Sequence, residues 1–354
     1  MTRILMMKPI YLAVAFFLAA GLKISPVLAE PQTDYAGYDR FDVRAAHRSM
    51  PIAASVWYPA DTFIYRAPVG RNIIWKGTDA YVGAAIAPGQ HPLVLLSHGS
   101  GGNMDGLGWL SSQLALRGAI VVAVNHPGTT SGDSSPRRTP LIGERAADIS
   151  ATLDQVLSNT AFAPYIDHQN ISAIGFSLGG TTVLNLAGVR FDQTLYAQYC
   201  DKFGNAAQDC DFLRKGGVDP DHLPDDFVAS SRDDRIVRTV AIEPGMGFAA
   251  TQTSLAEVTS AMLFIGLGEE NKWVAADFGP NGSNLVARIQ NASSATFAPA
   301  YHLTFLGECM PGAAEILKEE GSEPICADPP GTDRAQIHQK IVLAIAEFLN
   351  LAGS

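Results

Sequence analysis

The stretch ISAIGFSLGGTTVL, residues 171–184, changes character at one serine. Before it, Ile171–Phe176 is a nearly continuous apolar run, the mark of a strand buried on both faces. After it, Leu178–Ala187 reads as a helix. Ser177 stands at the corner, with Gly175 two residues before and Gly179 two residues after. A strand turning directly into a helix brings those two positions against the corner, so they must be small. This is the context of the G-x-S-x-G nucleophile elbow. A glycine-lined structural turn is the competing reading, and the strand-before, helix-after placement favours the nucleophile.

The rest of the chain repeats the alternation. Residues 38–58 read as an antiparallel opening pair of strands, followed by a long irregular connection over 61–90. His91–Ser97 and Ala119–Val124 are buried strands. Asn103–Arg117 and Leu141–Leu157 are helices, the second with Ile142, Ala146, Ile149, Leu153 and Val156 at helical spacing. Further strands are expected at Val237–Ile242 and Ala261–Ile265, with a weaker one at Ala295–Pro299. Ile337, Ile341, Ile345 and Phe348 mark a final helix, with Thr332 as its cap. The pattern predicts an α/β fold with a mostly parallel sheet covered on both faces, whose ligands bind beyond the carboxyl ends of the strands. Residues 188–235 break the pattern with ten aspartates and little apolar periodicity. They are read as an insertion that caps those strand ends, with a solvated surface excursion as the alternative.

Arg3 and Lys8 precede an apolar run from Pro9 to Leu22, then Lys23 and the small-residue ending Val27-Leu28-Ala29. This is the order of a secretory signal peptide, with cleavage expected after Ala29 and a single domain over 30–354. The run is short of the roughly 20 residues that span a bilayer. Removing residues 1–29 strips three cations and no acid from a chain of formal net charge −10. An acidic surface argues against nucleic acid and anionic membranes as partners. Export to a periplasm or beyond the cell suits an even number of cysteines. The four allow three pairings. Cys200–Cys210 and Cys309–Cys326 are favoured because each brackets one polar loop.

A serine hydroxyl needs a base to take its proton. His302 follows the last weak strand and is the candidate. His126 comes too early in the chain, His98 shapes a glycine-rich loop, and His338 lies within the final helix. The base needs a carboxylate, expected between serine and histidine in sequence. Glu243 stands at a strand end before Pro244-Gly245 and is preferred to Glu269 or Glu270 after the next strand. An oxyanion needs preorganised N–H donors. The amides of Leu178, directly after the serine, and of Ser100, in the loop SHGSGGN (residues 97–103), are the candidates.

The loop His98-Gly99-Ser100-Gly101-Gly102, the elbow Gly175-Phe176-Ser177-Leu178-Gly179 and the stretch Tyr301-His302-Leu303-Thr304-Phe305-Leu306 together resemble the α/β-hydrolase superfamily. More narrowly they are similar to its dienelactone-hydrolase and platelet-activating-factor-acetylhydrolase-like branch. The resemblance covers roughly residues 38–350. It implies Ser177 as nucleophile, His302 as base, and the Ser100 and Leu178 amides as oxyanion donors. Dienelactone hydrolases proper carry a cysteine as nucleophile. In the acetylhydrolases the acid follows the earlier strand, as Glu243 does here, though as an aspartate. The expectation is an exported serine hydrolase acting on small carboxylic esters of short or medium acyl chain, with no metal or organic cofactor. Amide substrates, and a non-catalytic binding protein on the same scaffold, are the alternatives.

Overall fold

The computed structural model describes residues 34–63, 65–269 and 272–351. The signal-peptide reading of residues 1–29 lies outside them. The chain opens with β1 (Gly37–Val43), β2 (Ile52–Tyr58), β3 (Arg66–Val69), β4 (Thr78–Val82) and β5 (His91–Ser97). It continues through α1 (Gly108–Ala115), β6 (Ile120–Val124), α2 (Ile142–Ser158), β7 (Ile166–Phe176) and α3 (Leu178–Leu186). Then follow α4 (Gln193–Phe203), α5 (Gln208–Lys215), β8 (Arg238–Ile242), α6 (Gln252–Ala256), β9 (Ala261–Leu267) and α7 (Leu285–Arg288). The last elements are β10 (Ala292–Phe297), α8 (Ala313–Glu319) and α9 (Arg334–Leu349).

The described strands form one sheet in the order β10-β9-β8-β7-β5-β6-β2-β1-β4-β3. The six from β5 to β10 run parallel, and β2 joins β6 antiparallel. The alternation of side chains along each strand divides the interior in two. In β5, Leu93 and Leu95 enter one core and Val94 and Leu96 the other. The first core is covered by the α2 stripe of Ile142, Ala146, Ile149, Leu153 and Val156 and by α3. The second is covered by Leu110 and Leu114 of α1 and by Ile337, Ile341 and Ile345 of α9. Each Ile, Leu and Val among these contributes roughly 1.5–3 kcal/mol on burial, which is why the 3.6-residue stripes dictate where the helices lie. This is the α/β-hydrolase arrangement. Among the described residues no helix is long and apolar enough to cross a membrane.

Register brings the functional strand ends side by side. Ser97 lies opposite Gly175, Phe176 opposite Ile242, and Leu267 opposite Phe297.

Several local expectations are corrected. The connection over 61–90 contains β3 and β4, which extend the sheet edge. Strands of four and five residues, one of them holding Pro68, carry too little alternation to be seen. The last strand runs Ala292–Phe297 rather than 295–299. The first helix begins at Gly108, because the Asn103 side chain instead accepts from the Asp105 and Gly106 amides in a turn. The cap of α9 is Asp333, which accepts from the Gln336 amide, and not Thr332.

Residues 188–235 are more ordered than their aspartates suggest. Asp192 caps α4 by accepting from the Leu195 amide. Tyr196, Tyr199 and Cys200 of α4, and Cys210 and Leu213 of α5, face inward. Asp209 sits beneath them, accepting from the Tyr196 and Tyr199 hydroxyls. The cysteines pair as Cys200–Cys210 and Cys309–Cys326. The α4 helix packs on the turn Gly247–Ala249 after β8, with Tyr199 stacked on Phe248. The α5 helix packs on the turn Val274–Ala276 after β9. The insertion thus lies against loops at the carboxyl ends of the strands.

Candidate active site

Ser177 links β7 to α3 with φ 54° and ψ −118°, a conformation a non-glycine residue adopts only when its surroundings enforce it. Its N–H donates to Ile242 O at 2.9 Å, and its carbonyl accepts from Thr181 N at 3.1 Å. The glycines around it have no room for a side chain. A Cβ on Gly175 would fall 1.9 Å from Gly179 O, and one on Gly179 would fall 2.0 Å from Ser97 O. The two glycines of the motif therefore set how closely the elbow approaches itself and the end of β5.

His302 opens the tight turn His302–Phe305 that follows β10. Thr304 holds this turn: its hydroxyl accepts from Tyr301 N at 3.0 Å and donates to Asp328 at 2.8 Å. Asp328 is in turn gripped by Arg334. His302 Nε2 lies 3.0 Å from Ser177 Oγ, and its Nδ1 lies 3.2 Å from Glu243 Oε2. Glu243 stands at the end of β8 with φ 47° and is 2% exposed. Its other oxygen, Oε1, accepts from the Leu267 N–H at 2.7 Å. Three separate strand ends thus deliver serine, histidine and glutamate to one hydrogen-bonded line. Glu269 is exposed beyond β9 and makes no hydrogen bond to His302; Glu270 lies outside the described residues.

The loop after β5 passes close to the elbow, since a Cβ on Gly99 would lie 3.2 Å from Ser177 Cβ. The backbone N–H groups of Ser100 and Leu178 donate to no backbone carbonyl among the described residues; Ser100 is exposed, and Leu178 is the first residue of α3, where the helix itself supplies no acceptor. His98 and His126 are buried behind this loop. His98 Nδ1 donates to Gly99 O at 2.7 Å. His126 donates from Nδ1 to Asp148 and accepts at Nε2 from Ser97 Oγ. His338 is also buried, stacked on Trp109 at 3.7 Å, and its Nε2 donates to Thr304 O. Among the described residues no group of three or more His, Cys, Asp or Glu is placed to hold a metal ion.

Trp273 was invisible as a site residue in the sequence. Its ring stacks on His302 with centroids 4.2 Å apart and planes 18° from parallel, while Phe176 lies 4.8 Å from the same imidazole. A lone tryptophan in an irregular loop carries no periodic signal. Arg145 and Asp148 did leave one: both stand on the apolar stripe of α2, where charges are unexpected.

Burial lowers the pKa of His126 and of His338 to about 4, and that of His98 well below its usual value. The unfolded chain, with histidines near 6.5, binds these protons first. Stability is therefore expected to rise with pH from about 4 to about 6.5 and to level off above. Urea midpoints measured across that range check this; a midpoint that falls or stays flat over it would contradict the assignment.

Residues 93–316 match the model of the alpha/beta hydrolase family, well over half of the chain, and the protein belongs to that family. The fold is also similar to a ferulic acid esterase from Streptomyces cinnamoneus, with TM-score 0.54 and 17% identity over 92% of this chain and 91% of that one. A dipeptidyl aminopeptidase IV candidate from Bacteroides ovatus matches with TM-score 0.48 and 12% identity, over 89% of this chain but 36% of that one. A search of curated proteins finds no match.

Proposed function

We propose that the protein is an exported serine hydrolase that cleaves small carboxylic esters of short or medium acyl chain through an acyl-enzyme. The observation that carries this reading is the line Ser177 Oγ–His302 Nε2 and His302 Nδ1–Glu243 at 3.0 and 3.2 Å. In this mechanism His302 takes the Ser177 proton as Oγ attacks the ester carbonyl, and the imidazolium is stabilised by Glu243. The amides of Leu178 and Ser100 bind the oxyanion. His302 then protonates the departing alcohol, and a water activated by the same imidazole releases the acid. Membership of the hydrolase family and the esterase neighbour's fold are consistent with it.

Export is supported by the two disulfides, which persist in oxidising compartments. The short-to-medium preference is supported by the insertion, whose outward residues mix the charges Asp201, Lys202, Arg214 and Lys215 with the exposed Leu195, Phe212 and Val228 and form no continuous apolar lid.

The test is hydrolysis of p-nitrophenyl esters of increasing chain length, alongside labelling with a fluorophosphonate. Turnover with an optimum at short or medium chains is expected, with the label on the peptide that contains Ser177. Labelling with turnover of amides alone would move the substrate class. A folded protein that neither labels nor turns over would return it to a binding role.

A further inference from the structure

We propose that Arg145 is a positioning residue for the oxyanion site, a buried cation that locks the two donor segments against each other. The inference rests on the reading of Ser177 as the acyl-transferring nucleophile. Arg145 is 2% exposed in the first turn of α2, among the helix's buried residues. Its guanidinium reaches three segments that meet at the elbow. Nε donates to Thr182 Oγ1 at 2.9 Å, and the Thr182 hydroxyl donates onward to Leu178 O at 3.0 Å. One terminal nitrogen, Nη2, donates to His98 O at 2.5 Å and to Ser97 Oγ at 3.1 Å. The other, Nη1, donates to Thr129 Oγ1, and the carbonyl of Thr129 accepts from Gly101 N at 2.9 Å. The side chain thus ties the start of α3, which carries the Leu178 amide, to the loop that carries the Ser100 amide.

Every one of these acceptors is neutral. Arg145 makes no ion pair among the described residues; Asp148, whose charge acts on it from a distance, is engaged by His47, Arg48 and His126. Burying a cation without a partner is costly, and an apolar side chain at this position would be the cheaper core. Burial lowers its pKa to about 9, which leaves it charged at neutral pH. The rigid fork of a guanidinium explains the residue type: a single planar group spans four acceptors that a lysine ammonium cannot reach together. Two amides must be held in fixed geometry for an oxyanion, and losing one donor costs roughly 10²–10³ in kcat.

The test compares Arg145→Met, Arg145→Lys, Thr182→Val and Thr182→Ser. It uses a p-nitrophenyl ester and the matching thionoester, whose sulfur is a poor hydrogen-bond acceptor. Wild type is expected to prefer the oxygen ester strongly. Thr182→Val leaves the cation but cuts the tie to Leu178, and about a tenfold fall in kcat at unchanged KM is expected. The oxygen-to-sulfur rate ratio should fall with it, and Thr182→Ser should restore both. Arg145→Met should lose about 10²-fold or more, with Arg145→Lys between it and wild type. A merely structural role would lower both ester rates together and leave the ratio alone. Should Arg145→Met fail to fold, Thr182→Val and Arg145→Lys decide the matter. If both keep wild-type kcat and ratio, the proposal falls. Wild-type protein without Ser177-dependent turnover would overturn the underlying reading and this inference with it.

Discussion

Replacing Ser177 by alanine is expected to lower kcat on a p-nitrophenyl ester by about 10⁶, some 8 kcal/mol of transition-state stabilisation. The fold should survive. Alanine also carries a Cβ, so the strained backbone at φ 54° is neither relieved nor worsened. The atom removed is a hydroxyl at a half-buried position whose structural tie is the 3.0 Å contact to His302. The melting temperature is therefore expected to stay within a few degrees of wild type. On the proposed mechanism, the turnover left is that of the Leu178 and Ser100 amides and substrate binding alone. Active-site titration with a fluorophosphonate distinguishes residual catalysis from trace wild-type enzyme. A variant keeping more than about 1% of turnover, a loss far short of that expected for a nucleophile, would remove Ser177 from its role.

Glu243→Gln is expected to lower kcat by about 10⁴ with little change in KM. The reason is specific to how this carboxylate is held. Glu243 Oε1 accepts from the Leu267 N–H, so the carbonyl oxygen of a glutamine is claimed by that donor. The amide NH₂ then faces His302 Nδ1, which must accept. That tautomer carries its proton on Nε2, where it cannot take one from Ser177. Steady-state kinetics of Glu243→Gln, beside Glu269→Gln and Glu270→Gln as controls, test the choice of acid. The Glu269→Gln control is expected within about twofold of wild type, because Glu269 is exposed and makes no hydrogen bond to His302. Collapse of either control with Glu243→Gln spared would transfer the role to the loop after β9.

The parts of this protein that could be read from the chain are those governed by local sterics and periodicity. Gly175 and Gly179 around Ser177 announce a turn too tight for any Cβ, and a buried strand running into a helix says where that turn stands. The α2 stripe from Ile142 to Val156 shows a period of 3.6 because one face meets the sheet. Each local cysteine pair follows from the loop it brackets. Less legible were β3 and β4, too short to alternate visibly, and the cap of α9, read as Thr332 but made by the next residue, Asp333. The helices α4 and α5 were hidden by their aspartates, since one of these, Asp209, is turned inward to meet two tyrosine hydroxyls.

By itself, the sequence determined the α/β class, the elbow, and a short set of groups able to do acid–base chemistry. It preferred Glu243 but kept Glu269 and Glu270 open, because a carboxylate's partner depends on which strand ends lie side by side. Tertiary structure alone placed Glu243 within reach of His302, stacked Trp273 on that imidazole, and gathered neutral acceptors around Arg145. Residues 145, 182 and 98, or 243, 273 and 302, are far apart along the chain. Their contacts follow from sheet order and register, which come from burying all the apolar faces at once and not from any one segment.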